Sequence, residues 1–333
     1  MSALRLGFLG IAHMHAYSYA SCALRQDGCT AVGVWDPDLE RAQAFAQRFS
    51  LPVFESAEAL LKDVDAVVLA SENKRHAEMG AQAAGAGKAI LCEKPLVTNE
   101  AEAAQFARAL AESPVPVMIA FPCRYSPAFI KARDQHRQGD LGPLLAICAT
   151  NRGRCPFDWF VDPERSGGGA MIDHVVHVAD LLRALLGIDP VRVQAQVGNN
   201  LYGQAWEDTA MLTLEYADGR FATLDSSWSR PQSYKTWGDV TMNLIYEKGV
   251  VELDLFNQHL DRFSNSGSPS HAWSGYGSDL DGALLADFVR AVTSGGPTPI
   301  TFEDGLVAAR VAMAGYASVA AGGQAVSVTP TAA

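Results

Sequence analysis

At 333 residues the chain is longer than one hydrophobic core usually supports, which predicts two domains. Hydrophobic residues at 48% and charged residues at 19% exclude a disordered or fibrous chain. A formal net charge of −11 argues against nucleic acid or an anionic membrane surface as the main partner, and no apolar run approaches the ~20 residues that span a bilayer. The cysteines (Cys22, Cys29, Cys92, Cys123, Cys148 and Cys155) show no CxxC and no metal-ligand spacing, which fits reduced thiols. With no recognisable signal peptide at the start, the expected address is the cytoplasm.

In chain order, strands are expected at 4–9, 30–35, 52–54, 65–70, 89–92 and 115–120. Helices are expected at 15–24, 38–49, 57–61, 76–86 and 100–111. This alternation predicts βαβ units and a doubly wound parallel sheet, with a ligand crevice at the carboxyl ends of its strands.

The loop after the first strand should carry a dinucleotide fingerprint, and here G-x-G-x-x-G is degenerate: Gly10-x-Ala12-x-x-His15. Gly10 can make the tight turn, Ala12 leaves some room for a pyrophosphate, and His13 lies in the same loop. His15 cannot supply the close packing of a third glycine. Asp36 ends the second strand, where a carboxylate accepts ribose hydroxyls and repels a 2′-phosphate. Pro37 and Asp38 follow with no immediate basic residue, so NAD is expected in preference to NADP. Ser71, Asn73 and His76 leave the fourth strand where cofactor loops belong, and Glu93-Lys94-Pro95 ends the fifth. Lys94 precedes proline, so its backbone is held extended and a cis bond is possible. A lysine there can hold a substrate oxygen.

The stretch 166–180, SGGGAMIDHVVHVAD, carries the other candidate chemistry. Asp173 and His177 are four residues apart and share a helix face, as a proton-transfer pair requires. Three glycines before them would let backbone approach a ligand. Asp173, His174 and His177 together suit zinc, but neighbours 173 and 174 diverge by about 100° on a helix, so no metal site is expected.

Together these motifs resemble the glucose–fructose oxidoreductase, inositol dehydrogenase and rhizopine-catabolism family (Gfo/Idh/MocA) over essentially the whole chain. Glu93-Lys94-Pro95 and the run GGG-x₃-D-x₃-H-x₂-D from Gly167 to Asp180 carry the resemblance. Asn73-x-x-His76, Arg124-Tyr125, Trp159, the segments 207–213 and 219–228, Tyr246–Gly249 and Glu303–Gly305 support it. It implies an α/β fold: an N-terminal Rossmann domain, placed at 1–122, then a C-terminal α/β domain at 123–333 with a large, mainly antiparallel open sheet. It implies an NAD(P)-dependent dehydrogenase or reductase acting on a hydroxyl or keto group of a sugar, polyol or related small molecule. By the same resemblance Lys94, Asp173 and His177 are catalytic. Gly10, Ala12, His13, Asp36, Ser71, Asn73, His76, Glu93 and Lys94 are expected to bind the cofactor. Arg124, Arg152, Trp159, Asp173 and His177 are expected to bind substrate.

Farther on, a helix is expected at 127–138, a strand at 144–151 and a helix at 174–186. Strands are expected at 191–197, 209–216, 220–228, 240–246 and 250–255, and helices at 280–293 and 303–320. Residues 264–279, rich in Ser and Gly, read as a flexible loop, and a sheet with one open face predicts a homodimer or homotetramer. Two other functions remain open at this level: NAD-assisted glycoside cleavage, which recycles its cofactor, and a nucleotide-binding sensor without catalysis.

Overall fold

The computed structural model describes residues 3–268 and 270–329. Five short strands, β1 (Leu4–Leu9), β2 (Cys29–Trp35), β3 (Ala66–Leu69), β4 (Ala89–Cys92) and β5 (Val117–Ile119), form a parallel sheet in the order β2-β1-β3-β4-β5. The connecting helices are α1 (His15–Ala23), α2 (Leu39–Phe49), α3 (Ala57–Asp63), α4 (His76–Gly85) and α5 (Glu100–Glu112). β3 and β4 are buried at every position, the pattern of strands covered on both faces. The strand expected at 52–54 is only an isolated bridge between Val34 and Val53. Proline at 52 has no N–H to donate, so this stretch touches the edge of β2 without extending the sheet.

After α6 (Pro127–Gln138), the chain builds a larger sheet from β6 (Leu144–Gly153), β7 (Pro190–Gly198), β8 (Thr209–Tyr216), β9 (Phe221–Ser227), β10 (Gly238–Tyr246) and β11 (Gly249–Asp254). With the terminal β14 (Val326–Ser327), its order is β11-β10-β6-β9-β8-β7-β14, antiparallel except for the β6–β9 pair. Between β6 and β7 lie the single turn α7 (Pro163–Ser166) and the long α8 (Ala170–Leu186). α8 buries 13 of its 17 residues, so every polar group it carries inward must find a partner or open onto a cavity.

Two features depart from expectation. The stretch read as a flexible loop is largely a hairpin, β12 (His259–Ser264) with β13 (Ser270–Gly275), while residue 269 lies outside the described residues. Nor does the chain stay in its second half once it has left the first. Ile119 donates its amide to Ile300 O (3.1 Å), and Ser18 of α1 bonds Asp281 of α9 (Leu280–Ser294). The last helix, α10 (Phe302–Ala320), lies with α8 over one face of the large sheet.

Candidate active site

A cavity of about 620 Å³ opens between the two sheets. One wall comes from the first: His13, Met14 and His15 at the start of α1, and Lys94 beyond β4. The facing wall carries Asp173, His174 and His177 of α8, Asn151 and Arg152 of β6, and Asp239 of β10. Trp273 of the hairpin and residues 277–281 close the rim.

Lys94 reaches this space from a cis Lys94–Pro95 peptide bond. Its side chain is 5% exposed, and its Nζ donates to Asp173 Oδ1 at 2.7 Å and to the Asp173 carbonyl at 3.3 Å. The other carboxylate oxygen, Oδ2, accepts from Trp228 Nε1 (3.1 Å) and lies 3.2 Å from His174 Nε2. Burial alone would raise the Asp173 carboxyl, but Lys94 and then His174 hold it well below the usual carboxylate range. His174 is therefore no bystander to the pair: its Nδ1 rests on Asn151 O (3.0 Å), which turns the ring back onto Asp173. Adjacent helix positions meet here because side-chain torsions, rather than Cβ directions alone, decide contact.

His177 stands one turn along α8, yet it makes no hydrogen bond to Asp173. Its Nδ1 is buried without a partner among the described residues. Burial first, and the Lys94 cation second, hold its pKa well below the ordinary imidazole value. It is a neutral ring facing the cavity.

The three glycines before this helix serve packing rather than ligand approach. A Cβ at Gly168 would fall on the Tyr316 hydroxyl, and one at Gly169 on the Glu207 carbonyl. Glu207 Oε1 then caps the start of α8, accepting from the amides of Gly169 (2.7 Å) and Met171 (3.3 Å).

On the opposite wall, Glu93 is fully buried. Its Oε1 accepts from Tyr19 OH (2.7 Å) and pairs with His15 Nδ1 (3.0 Å), while its Oε2 accepts the Lys94 amide (2.9 Å). Burial would push this carboxyl up, but His13, His15 and Lys94 hold it well below its usual range. His13 lies between the ring of His15 and the stacked pair Trp159–Phe160, and burial lowers its pKa to about 3.

The expected nucleotide residues line the carboxyl ends of β1, β2 and β3. Gly10 turns at φ 73°, where an added Cβ would come within 2.7 Å of the Ser71 Cβ. The amides of Ala12 and Met14, at the start of α1, have no partner among the described residues. Asp36 is buried, its Oδ2 accepting from the Ile11 amide (2.7 Å) and its Oδ1 from Arg41 Nη2 (2.7 Å). A basic residue therefore does stand at Asp36, one helical turn farther on than the sequence reading looked. Arg41 also reaches Glu72, as does Arg165 at 2.8 Å. Asn73 donates to Ser166 O (2.8 Å) and leaves its Oδ1 buried without a donor among the described residues. His76 is sealed between Pro95 O and Ser71 O, a bracing position away from the cavity.

Of the expected substrate contacts, Asp173, His177 and Arg152 reach the cavity, though Arg152 pairs with Asp239 (3.2 Å). Arg124 lies elsewhere, bonded to Asp180 (2.8 Å) and paired with Asp304. Trp159 is buried, its Nε1 donating to Ala12 O at 3.1 Å, so it braces the first loop from the second half of the chain. Sequence reasoning missed Trp228, Asn151 and Asp239, whereas Trp273 belongs to the aromatic-bearing stretch 264–279 that it read as able to close over a sugar. An odd residue in the glycine loop was the one visible sign of His15.

This two-sheet arrangement has counterparts. A profile of an oxidoreductase family with an NAD-binding Rossmann fold (Gfo/Idh/MocA) matches residues 4–121, and the Gfo/Idh/MocA C-terminal domain matches residues 129–252. The chain belongs to this family. Inositol 2-dehydrogenase of Rhizobium meliloti (strain 1021) is 27% identical over 338 residues, covering 95% of this chain and 97% of that protein. D-apiose dehydrogenase of Paraburkholderia graminis is 26% identical over 281 residues, covering 80% and 72%. The crystal structure of GenD2 from gentamicin A biosynthesis, in complex with NAD, superposes with a TM-score of 0.89 at 25% identity, covering 99% of this chain and 97% of that one. As a member of this oxidoreductase family, the chain is an enzyme. No helix among the described residues is long and apolar enough to cross a membrane.

Proposed function

We propose that the chain is an NAD-dependent dehydrogenase or reductase acting on a CH–OH or keto carbon of a sugar or polyol. The observation that carries this reading is the buried Lys94–Asp173 pair sharing one cavity with a neutral His177. Residues 1–122 hold the nucleotide in this reading and residues 123–333 the substrate, although α9 returns to pack on α1.

Two features suit a dinucleotide. The unpartnered amides at the start of α1 match a pyrophosphate, and the buried Asn73 Oδ1 can accept a ribose hydroxyl. Nicotinamide, when bound, supplies the acceptor or donor of hydride. The chain's own groups manage charge and proton. Asp173 keeps Lys94 at the reacting oxygen, where its ammonium stabilises alkoxide character. His177, uncharged at neutral pH, accepts the hydroxyl proton. Asp36 and Glu72 oppose a 2′-phosphate, and Arg41 is already committed to both of them, so NAD is preferred over NADP.

The cytoplasm is the compartment that suits its six free cysteines. Leu145, Met211, Phe221 and Val250 are exposed on the large sheet, whose other face is covered by α8 and α10, which supports a homodimer or homotetramer. The test is a panel of inositols, sugars and sugar acids supplied with NAD or NADP, read by absorbance of the reduced nicotinamide. Net accumulation of NADH with at least one of them, and faster than with NADP, is expected. Turnover of substrate with no net NADH would instead assign a cofactor-recycling reaction.

A further inference from the structure

His177 accepts a proton in the reading above but cannot keep it, because burial and Lys94 leave the ring a weak base. Alcohol oxidation at neutral pH must therefore deliver its proton onward. On the facing wall, His15 stands where the dinucleotide fingerprint would have glycine, and its side chain is 33% exposed. Its Nδ1 is held by Glu93 Oε1 at 3.0 Å, and Glu93 is fully buried and fixed by Tyr19 OH and the Lys94 amide. A buried carboxylate behind one ring nitrogen fixes the tautomer and leaves the other nitrogen free to take a proton.

We propose that His15, backed by Glu93, is a second proton-transfer group of the cavity, which receives the proton released at the substrate hydroxyl and passes it to solvent. This rests on the dehydrogenase reading. In the step, the C–H bond loses its hydride, for which bound oxidised nicotinamide would be the acceptor, and the O–H electron pair becomes the carbonyl π bond. The proton passes by way of His177 and water in the cavity that both residues line to His15 Nε2, and then to bulk solvent. The reverse sequence serves reduction.

The charged and titratable groups around His15 favour this role. Glu93 and Asp281 stabilise its imidazolium, Lys94 opposes it, the His13 ring lies 4.6 Å away and is neutral, and Tyr19 packs edge-on at 6.1 Å. Burial is the largest single influence and lowers the His15 pKa, but the charge and hydrogen bond of Glu93 together with Asp281 outweigh it, and the net shift is upward. Metal binding is the competing reading, since one ligand atom each from His13, His15 and Glu93 lie within 4.8 Å of one another. The lone pairs of Glu93 Oε1 and His13 Nδ1 are already engaged, however. Glu93 Oε1 holds two donors, and His13 Nδ1 accepts the His15 amide at 3.2 Å.

The experiment combines kinetics with NMR titration of isotope-labelled histidine in the full chain. His15→Ala and His15→Gln are expected to lower kcat for oxidation roughly tenfold to hundredfold, with KM little changed, and added imidazole should restore rate to His15→Ala. Glu93→Gln should move the acid limb of kcat, and the His15 midpoint seen by NMR, to lower pH. Wild-type pH profiles in both His15 variants would overturn the proposal. So would a His15 midpoint unmoved by Glu93→Gln, or one equivalent of zinc retained by the wild type and lost from His15→Ala. If the wild type oxidises no polyol with NAD, the dehydrogenase reading fails, and the NMR midpoint alone then decides whether the dyad exists.

Discussion

The two walls of the cavity each carry a buried carboxylate and histidines, and they use them in opposite ways. On the α8 wall, Asp173 is committed to Lys94, Trp228 and His174, which leaves His177 unsupported and weakly basic. On the α1 wall, Glu93 supports His15 directly and raises its basicity, while His13, a few ångströms away, is buried into neutrality. A histidine's role here follows from which partner its neighbouring carboxylate already holds, more than from spacing along the chain.

That contrast can be broken at several points. Lys94→Met should have the largest effect. It removes the cation at the reacting oxygen and leaves Asp173 buried and unpaired, so kcat should fall about 10³-fold and Tm by several degrees. NAD affinity, measured by calorimetry, should change little. His177→Gln should lower kcat about 10²-fold in steady-state assays, and an unchanged kcat would contradict the proposed division of labour. Trp228→Phe deletes one donor to Asp173. An expected loss of about tenfold in kcat, with about 1 kcal/mol of stability, would be read from steady-state rates and urea unfolding.

The smallest effect concerns pH on the α1 wall. His13 titrates near 3 in the folded chain but near ~6.5 when unfolded, so the unfolded state binds the extra proton between those values. Its contribution to stability is present above pH ~6.5 and lost as pH falls towards 3. His13→Asn keeps an acceptor for the His15 amide and removes the titration. Between pH 7 and pH 5 it should lose about 2 kcal/mol less stability than the wild type. Equal losses in the two proteins would show that the ring titrates normally.

Much of this arrangement was legible in the sequence where it is written locally. The alternation of short apolar runs with amphipathic stretches marked the first sheet, since both periodicities arise from residues a few positions apart. Lys94 before Pro95, and Asp173 four residues before His177, likewise follow from local geometry. The same local reasoning misjudged 166–169, where glycine accommodates Tyr316 and Glu207 from elements far along the chain. It overlooked Arg41, whose side chain returns across a helical turn to Asp36. It gave Arg124 to the substrate, although Asp180 and Asp304 hold that guanidinium away from the cavity.

From its residues alone, then, the chain pointed to two sheets and a nucleotide-type crevice, and it singled out Lys94, Asp173 and His177 as candidates. Backbone periodicity and the constraints of proline and helix spacing act within a few residues, so they can be read in order. Only the tertiary structure decided which carboxylate each base meets. Trp228 lies 55 residues from Asp173, and Glu93 lies 78 from His15. Burial at those meetings, rather than residue type, sets which groups carry charge.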